Sequence, residues 1–304
     1  MKQLECLFIG SITQDIIMRI TGAPVSDQRV LADMVCTTGG GIAGNSASAF
    51  SKLGGYGGII SAVGDDETAD YVRGFVASRG LGFSQLITVP GKATPFSAIL
   101  VEPDGKRLIS YYGGCMSELT VDKLDKKALH NTKMVHLGGL DEDFIVDVSK
   151  YIKENTDALI SVDAGNRSKE CIDRLLPYMD IFIPDNKTVT RTIGLPYEEA
   201  CKYYYDGGAK LVCITLGDEG SLAYDGKDFT YVPPIKANVI DTTGAGDNFH
   251  GAFVYCYQQG FSIEKTLKFC NTFSGLCCEA LGGSAAEPTY EETIARMELE
   301  YAIL

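Results

Sequence analysis

Asp247 stands inside the stretch Val239-Ile240-Asp241-Thr242-Thr243-Gly244-Ala245-Gly246-Asp247-Asn248-Phe249-His250-Gly251-Ala252-Phe253, whose residue types suit phosphoryl chemistry. Beyond it, Phe249, Ala252, Phe253 and Cys256 recur at i, i+3, i+4 and i+7, which predicts a helix with one face turned inward. Gly244 and Gly246 open that helix, so bare backbone N–H groups approach a ligand where the helix end adds roughly half a positive charge. A carboxylate in the first turn repels phosphate unless it has work to do there. Asp247 suits a general base: it takes a proton from a substrate hydroxyl while the amides of Gly244, Ala245 and Gly246 hold the phosphoryl group. On this stretch alone the plainer reading stays open, a glycine-rich turn before a core helix with Asp247 as a dipole-friendly acid.

The elements that must position these groups are legible in outline. Leu4–Ser11 reads as a buried parallel strand, and Asp15, four residues on, falls where ligands gather beyond strand ends. Gly39, Gly40 and Gly41 precede a helix reaching Leu53, with Asn45 in its first turns able to donate and accept. This is no Walker A motif, because the lysine is missing. Residues 57–64 form a strand, and Asp65 or Asp66 caps a helix through Ser78. From Met134 onward, strands (134–137, 158–163, 181–184) alternate with helices (143–153, 168–178), which predicts a parallel sheet covered on both faces. A further strand at 210–216 runs into a loop punctuated by Gly217 and Gly220, then a hairpin turning at Asp225-Gly226. A last long helix spans Ile263 to about Leu281. Ile16–Ile20, Ala98–Val101 and Leu108–Tyr112, the last two joined by a turn at 102–106, form a small antiparallel sheet outside the main one.

Composition narrows the partners. A chain of 304 residues, 45% hydrophobic and 22% charged, accommodates one large α/β domain with an appendage. The net charge of −13 argues against nucleic acid or an anionic membrane, so any anionic ligand must be drawn in by local features such as amide nests or a bound cation. No window of 18 apolar residues exists and the first eleven residues lack a signal pattern, which predicts a cytoplasmic protein. Ten cysteines without C-x-x-C read as small core residues. His130, His136 and His250 are too scattered to suggest a metal cluster or a Ser-His-Asp arrangement.

Residues 241–253 resemble the C-terminal signature of the ribokinase-like (PfkB) family of carbohydrate kinases. Gly40, Gly41 and Asn45 resemble its N-terminal Gly-Gly-x-x-x-Asn, and Thr215-Leu216-Gly217-x-x-Gly220 its nucleotide loop, so the resemblance spans almost the whole chain. It implies one ribokinase-like α/β domain over 1–304, a mostly parallel central sheet with helices on both faces and a small antiparallel β lid from about 13–38 and 92–114. In many relatives that lid doubles as a homodimer surface. The resemblance further implies that Asp15, Gly40, Gly41 and Asn45 grip a sugar, that Asp247 is the base, and that Thr215, Gly217, Gly220 and Asn271 lie along ATP. Asp185 would hold a water of Mg²⁺, and Asp241 and Thr243 match ligands of a monovalent cation, K⁺.

The chain departs from the pattern in three places. Thr13 stands where the family often has Asn. Ile42 replaces a common Lys, which disfavours an already phosphorylated acceptor. At the Asn-x-x-Glu stretch the end positions are Asp185 and Thr188, so Mg²⁺ handling is altered. Arg167, in a stretch similar to Asp-Pro-Asn-x-Arg, is a candidate phosphate neutraliser. The expected function is transfer of the γ-phosphoryl group of ATP to a hydroxymethyl group of a small uncharged sugar. The alternatives are a nucleoside kinase, with Phe96, Tyr111 and Tyr112 as a slot for the base, and a sugar-binding regulator with weakened catalysis.

Overall fold

The computed structural model describes residues 2–302. In chain order its strands are β1 (Cys6–Gly10), β2 (Thr13–Ile20), β3 (Ala32–Gly40), β4 (Gly57–Val63), β5 (Phe83–Thr88), β6 (Phe96–Val101), β7 (Arg107–Tyr112), β8 (Met134–Gly138), β9 (Leu159–Asp163), β10 (Ile181–Ile183), β11 (Leu211–Thr215), β12 (Ser221–Tyr224) and β13 (Phe229–Val232). Nine of them form one sheet in the order β13-β12-β11-β10-β9-β8-β1-β4-β5, parallel from β5 to β11 and antiparallel across β11-β12-β13. β1, β4 and β8 are buried along their whole length, as apolar runs covered on both faces should be. On one face pack the helices Glu142–Asn155, Lys169–Leu175 and Tyr197–Asp206. On the other lie Ile42–Lys52, Ala245–Gln258 and Ile263–Cys277.

The small sheet has the order β3-β2-β6-β7. Its two outer pairs are antiparallel, as expected, but β2 and β6 run parallel. They belong to two hairpins contributed by separate parts of the chain, which no local pattern can orient relative to each other. Ile17, Ile99 and Val101 on one face pack with Leu281 against the main body.

Three element boundaries differ from expectation. The strand ahead of the first helix runs to Gly40, past the lid segment expected to end near residue 38, and Gly41, at φ 83°, makes the bend. The helix expected over 168–178 stops at Leu175 and gives way to a single tight turn containing Pro177, which lacks the N–H to continue. The last long helix ends at Cys277, and Leu281 leaves its stripe to join the small sheet. Asp66 is the N-cap of Glu67–Ser78, accepting from the Ala69 amide at 2.9 Å. All ten cysteines are free, and all but Cys36 are buried. Among the described residues no helix is long and apolar enough to cross a membrane.

Candidate active site

The chain places two helix N-termini at the carboxyl edge of the sheet, and they are not equivalent. At Ile42–Lys52 the first amides are engaged: Ile42 N–H donates to Ser11 Oγ at 3.3 Å, and Ala43 and Gly44 donate to the Ser11 carbonyl at 3.1 and 3.3 Å. At Ala245–Gln258 they are not. Gly244 takes the left-handed conformation, φ 71°, and a Cβ there would lie 2.9 Å from Gly283 Cα. The amides of Gly244, Gly246 and Asp247 have no acceptor among the described residues, whereas Ala245 N–H donates to the Thr242 carbonyl at 3.2 Å. The open amides are therefore 244, 246 and 247, with Asp247 taking the place of Ala245 in the expected set. Gly246 is exposed, and a side chain there would meet nothing within 4 Å. This is the end built to receive an anion.

Asp247 sits on that rim, partly open to solvent. Asn45 Nδ2 donates to its Oδ2 at 2.8 Å, and Ser46 Oγ donates to its carbonyl at 2.9 Å, so the two helix starts are fastened through the candidate base. Surrounding protein strips water from the carboxyl and the charge of Asp163 adds to this, raising its pKa to about 7. The Asn45 donor and Arg107 pull the other way, and Asp15 raises it further. Asn45 is 3% exposed, and its Oδ1 is buried without a partner, an acceptor left for a hydroxyl.

Asp15 is buried on β2, where Thr13 Oγ1 donates to its Oδ1 at 2.6 Å. Burial raises its pKa, and the hydroxyls of Thr13 and Ser97 partly offset this. A Cβ at Gly40 would lie 1.9 Å from Asp15 Oδ2, so Gly40 is the surface on which that carboxylate rests. Across the small sheet, Thr38, Asp15, Ser97 and Tyr111 fall in register and share a face. Phe96 and Tyr112 pair with each other on the opposite face, so of the three aromatics offered as a base slot only Tyr111 is on the side of Asp15.

The nucleotide candidates are partly brought together. Asp185 and Thr215 form a bridge between adjacent strand ends, and Gly217 (φ 66°) and Gly220 (φ 92°) shape the loop that follows. Asp185 Oδ1 caps the helix Asn186–Thr192 by accepting from Thr188 N–H at 2.7 Å. The residue itself is exposed, and its Oδ2 has no hydrogen-bond donor among the described residues. Thr188 points inward, 1% exposed, and donates to the Gly165 carbonyl at 2.8 Å, so the position offers no charge.

Two expectations need correction and a third is narrowed. Both amide hydrogens of Asn271 are engaged, donating to the Val232 and Pro233 carbonyls at 3.1 Å each, so it straps a loop and has no donor left for adenine. Arg167 is 6% exposed and donates to the Leu140 carbonyl at 2.8 Å, packed beneath the site instead of facing a phosphate. Asp241 Oδ1 accepts from Thr243 N–H (2.8 Å) and Oγ1 (2.6 Å), and Oδ2 from Gly282 N–H at 2.9 Å. Three donors thus take most of its roughly four acceptor positions, so a monovalent cation there would rely mainly on backbone oxygens. Arg107 was not legible beforehand: it stands exposed on β7 and donates to Thr242 Oγ1 at 2.5 Å, two residues before the open amides. Only the pairing of β7 with β6 reveals which way it faces.

A left-handed glycine opening a helix, bare amides and a carboxylate of raised proton affinity on the rim are the parts of a phosphotransferase with an alcohol acceptor. The model of the pfkB family of carbohydrate kinases matches residues 3–290, and the chain belongs to that family. It is 27% identical over 297 residues to the ribokinase of Lactococcus lactis subsp. lactis, covering 96% of this chain and 97% of that one. It is 26% identical over 304 residues to the nucleoside kinase of Methanocaldococcus jannaschii, covering 98% and 97%. The structure of Arabidopsis thaliana ribokinase complexed with ribose and ATP shares the fold, with a TM-score of 0.84, 23% identity and 98% and 99% coverage. The chain is an ATP-dependent kinase of the sugar and nucleoside class.

Proposed function

We propose that this kinase phosphorylates a hydroxymethyl group of a small uncharged sugar, with Asp247 as the general base. The observation that carries the reading is the Asn45–Asp247 hydrogen bond, which sets a carboxylate and an unpartnered carbonyl oxygen side by side at the open amides. Asp15 and Asn45 bind the acceptor's hydroxyls, with Gly40 letting the Asp15 carboxylate lie against its backbone and Gly41 packing against the Ser11–Ile12 backbone. Asp247 takes the hydroxyl proton as the oxygen bonds to the γ-phosphorus and the bond to ADP breaks. The amides of Gly244, Gly246 and Asp247, with Arg107, face the charge that shifts in that step. Mg²⁺ supplies neutralisation of the ATP phosphates when bound, and Asp185 is the residue to hold its water, beside the Thr215–Gly220 loop along which ATP lies. Ile42, packed against Gly138, offers no cation for a second phosphate on the acceptor.

A second reading, a nucleoside kinase, is favoured by one observation: Tyr111 lies in register with Asp15 and Ser97, where its ring can cover a base. Steady-state assays of ribose and fructose against adenosine and inosine, with ATP and Mg²⁺, decide between them. Turnover confined to nucleosides removes the first reading, and tight sugar binding without turnover points to a regulator. The small sheet is the lid over the acceptor. Its outer row, Met18, Val35, Leu100 and Leu108, is the homodimer surface.

A further inference from the structure

The segment 281–287, which follows the helix Ile263–Cys277, touches every element that carries a group of the acceptor and anion site. Gly282 N–H donates to Asp241 Oδ2 at 2.9 Å. The Gly283 carbonyl accepts at 2.7 Å from Nδ2 of Asn248, the residue after Asp247, and a Cβ at Gly244 would lie 2.9 Å from Gly283 Cα. Ser284 Oγ donates to the Gly39 carbonyl at 2.8 Å and lies 3.2 Å from Thr38 Oγ1. Ser48 Oγ, one turn beyond Asn45 on Ile42–Lys52, donates to Glu287 Oε2 at 2.8 Å. Ahead of these, Leu281 packs with Ile17, Ile99 and Val101 of the small sheet.

The Ser284 bond stands out for where it lands. β3 is the outermost strand on its side of the small sheet, and Gly39 precedes Gly40, against which the Asp15 carboxylate lies. Gly39 and Ser284 are both buried, so the carbonyl has no bulk water to turn to when the hydroxyl is lost. A Cβ at Gly39 would come within 2.1 Å of the Phe75 ring, which backs the peptide without directing it. Ser284 supplies the direction. The other side chain that the main body sends to this end of β3, Tyr71, reaches the Thr37 carbonyl at 3.1 Å from an exposed position.

We infer that Ser284 is a positioning residue for the acceptor. By fixing the Gly39 carbonyl it fixes Gly40, and with it the Asp15 carboxylate, relative to Asp247, whose helix the same segment holds through Gly283. The inference rests on the reading of Asp15 as a ligand of the acceptor. One strand of backbone thus sets the spacing between the group that grips the alcohol and the helix end that faces the phosphoryl group.

The test pairs amide hydrogen exchange of the unliganded protein with steady-state kinetics for ribose and for adenosine at saturating ATP and Mg²⁺. In S284A, loss of one buried hydrogen bond should speed exchange over residues 32–40 about fivefold, the equivalent of a typical net bond, and leave 245–258 unchanged. The KM of whichever acceptor turns over should rise about fivefold while kcat stays within about twofold. S48A loosens the far end of the segment, leaves Ser284 on Gly39 and should hold that KM within about twofold. Added to D15A, S284A should raise KM no further. Unchanged exchange over 32–40 in S284A overturns the inference. So does a fall in kcat at constant acceptor KM, which would place the effect at Gly244, or a rise in S48A as large as that in S284A, which would make it general loosening. Should S284A not fold, S284C, close in size and a weak donor, carries the same decision. A D15A acceptor KM equal to wild type, with faster exchange in S284A, would keep the clasp on Gly39 and remove the reading of Asp15 instead.

Discussion

Asn45 and Asp247, 202 positions apart in sequence, are joined by a 2.8 Å hydrogen bond that brings the two glycine-rich signatures into one site. Neither segment alone accounts for the chemistry. The Gly244 helix start supplies open amides, and the Gly41 helix start, whose first amides are engaged by Ser11, supplies a side chain instead. The first prediction follows from that division. Asp247→Asn keeps the size and a contact to Asn45 but removes the base, so kcat should fall by at least about a hundredfold. ATP affinity should be nearly unchanged. Near-normal turnover in a folded D247N protein would reduce Asp247 to a capping acid.

The pKa of about 7 at Asp247 predicts both a rate profile and a stability profile. As the base must be ionised, kcat/KM should fall about tenfold per pH unit below about 7 and level off above it. For stability the sign is opposite to that of a salt-bridged carboxylate. The folded value lies above the ordinary 3.8, so between roughly 4 and 7 the native state binds more protons than the unfolded chain, and stability declines as pH rises through that window. Urea denaturation at pH 5 and pH 8 checks it: D247N should lose less stability than wild type between the two. Equal slopes would mean that the carboxyl titrates normally.

Gly40 gives a steric prediction. Its backbone is extended, so what an alanine meets first there is Asp15, whose Oδ2 would be 1.9 Å from the new Cβ. Gly40→Ala should turn the carboxylate away from Thr13 and raise KM for the acceptor at least about tenfold, in keeping with the 1–3 kcal/mol typical of overpacking. Adding Asp15→Ala to that variant should cost little more. Independent, additive losses in the double variant would separate the two residues.

Much of this site is legible in the sequence because it depends on backbone shape. Gly41 and Gly244 adopt positive φ, and such requirements leave glycines at fixed places. The strands from Met134 to Ile183 are legible for a similar reason, since burial on both faces demands unbroken apolar runs. What escapes is set by long-range register. Arg107 reaches Thr242 only because β7 pairs with β6 and carries it to the inner face. The His250–Asp163 contact requires the Ala245–Gln258 helix to lie over β9. Asn271 misleads because a polar residue beside a helix stripe has no local mark of whether it meets a ligand or a loop carbonyl.

Arg107 carries the fourth prediction. In the proposed function Arg107 stabilises charge on the transferring group, so Arg107→Ala should lower kcat by about tenfold to a hundredfold with little change in KM for the acceptor. Lysine should restore only part, having a point charge in place of a planar fork. Thr242→Val tests the competing explanation, that the hydrogen bond merely staples the small sheet to the 239–242 loop. It removes the Thr242 hydroxyl but leaves the cation, and should keep kcat within about threefold. A loss as large as that of R107A would assign the effect to the staple.

The outer face of the small sheet leads to a prediction about assembly. Met18, Val35, Leu100 and Leu108 align across the four strands, and Val35 and Leu108 are 69% and 55% exposed, with Tyr112 at 59% on the same side. A continuous apolar row on a twisted sheet is stable in water when something covers it. A second copy meeting it by two-fold symmetry covers both rows at once. Light scattering should therefore give about twice the chain mass of 32.8 kDa. A Val35→Glu, Leu108→Glu double variant should give the single mass, because two like charges would face their symmetry mates in a dry interface. The register also ties this surface to the site, since Leu108 and Tyr112 alternate along β7 with Arg107 and Tyr111. Loss of the dimer should then loosen the strand that positions the arginine, raising KM for the acceptor and lowering kcat together. A monomeric wild type, or a monomeric variant with unaltered kinetics, would disconnect the outer row from the chemistry.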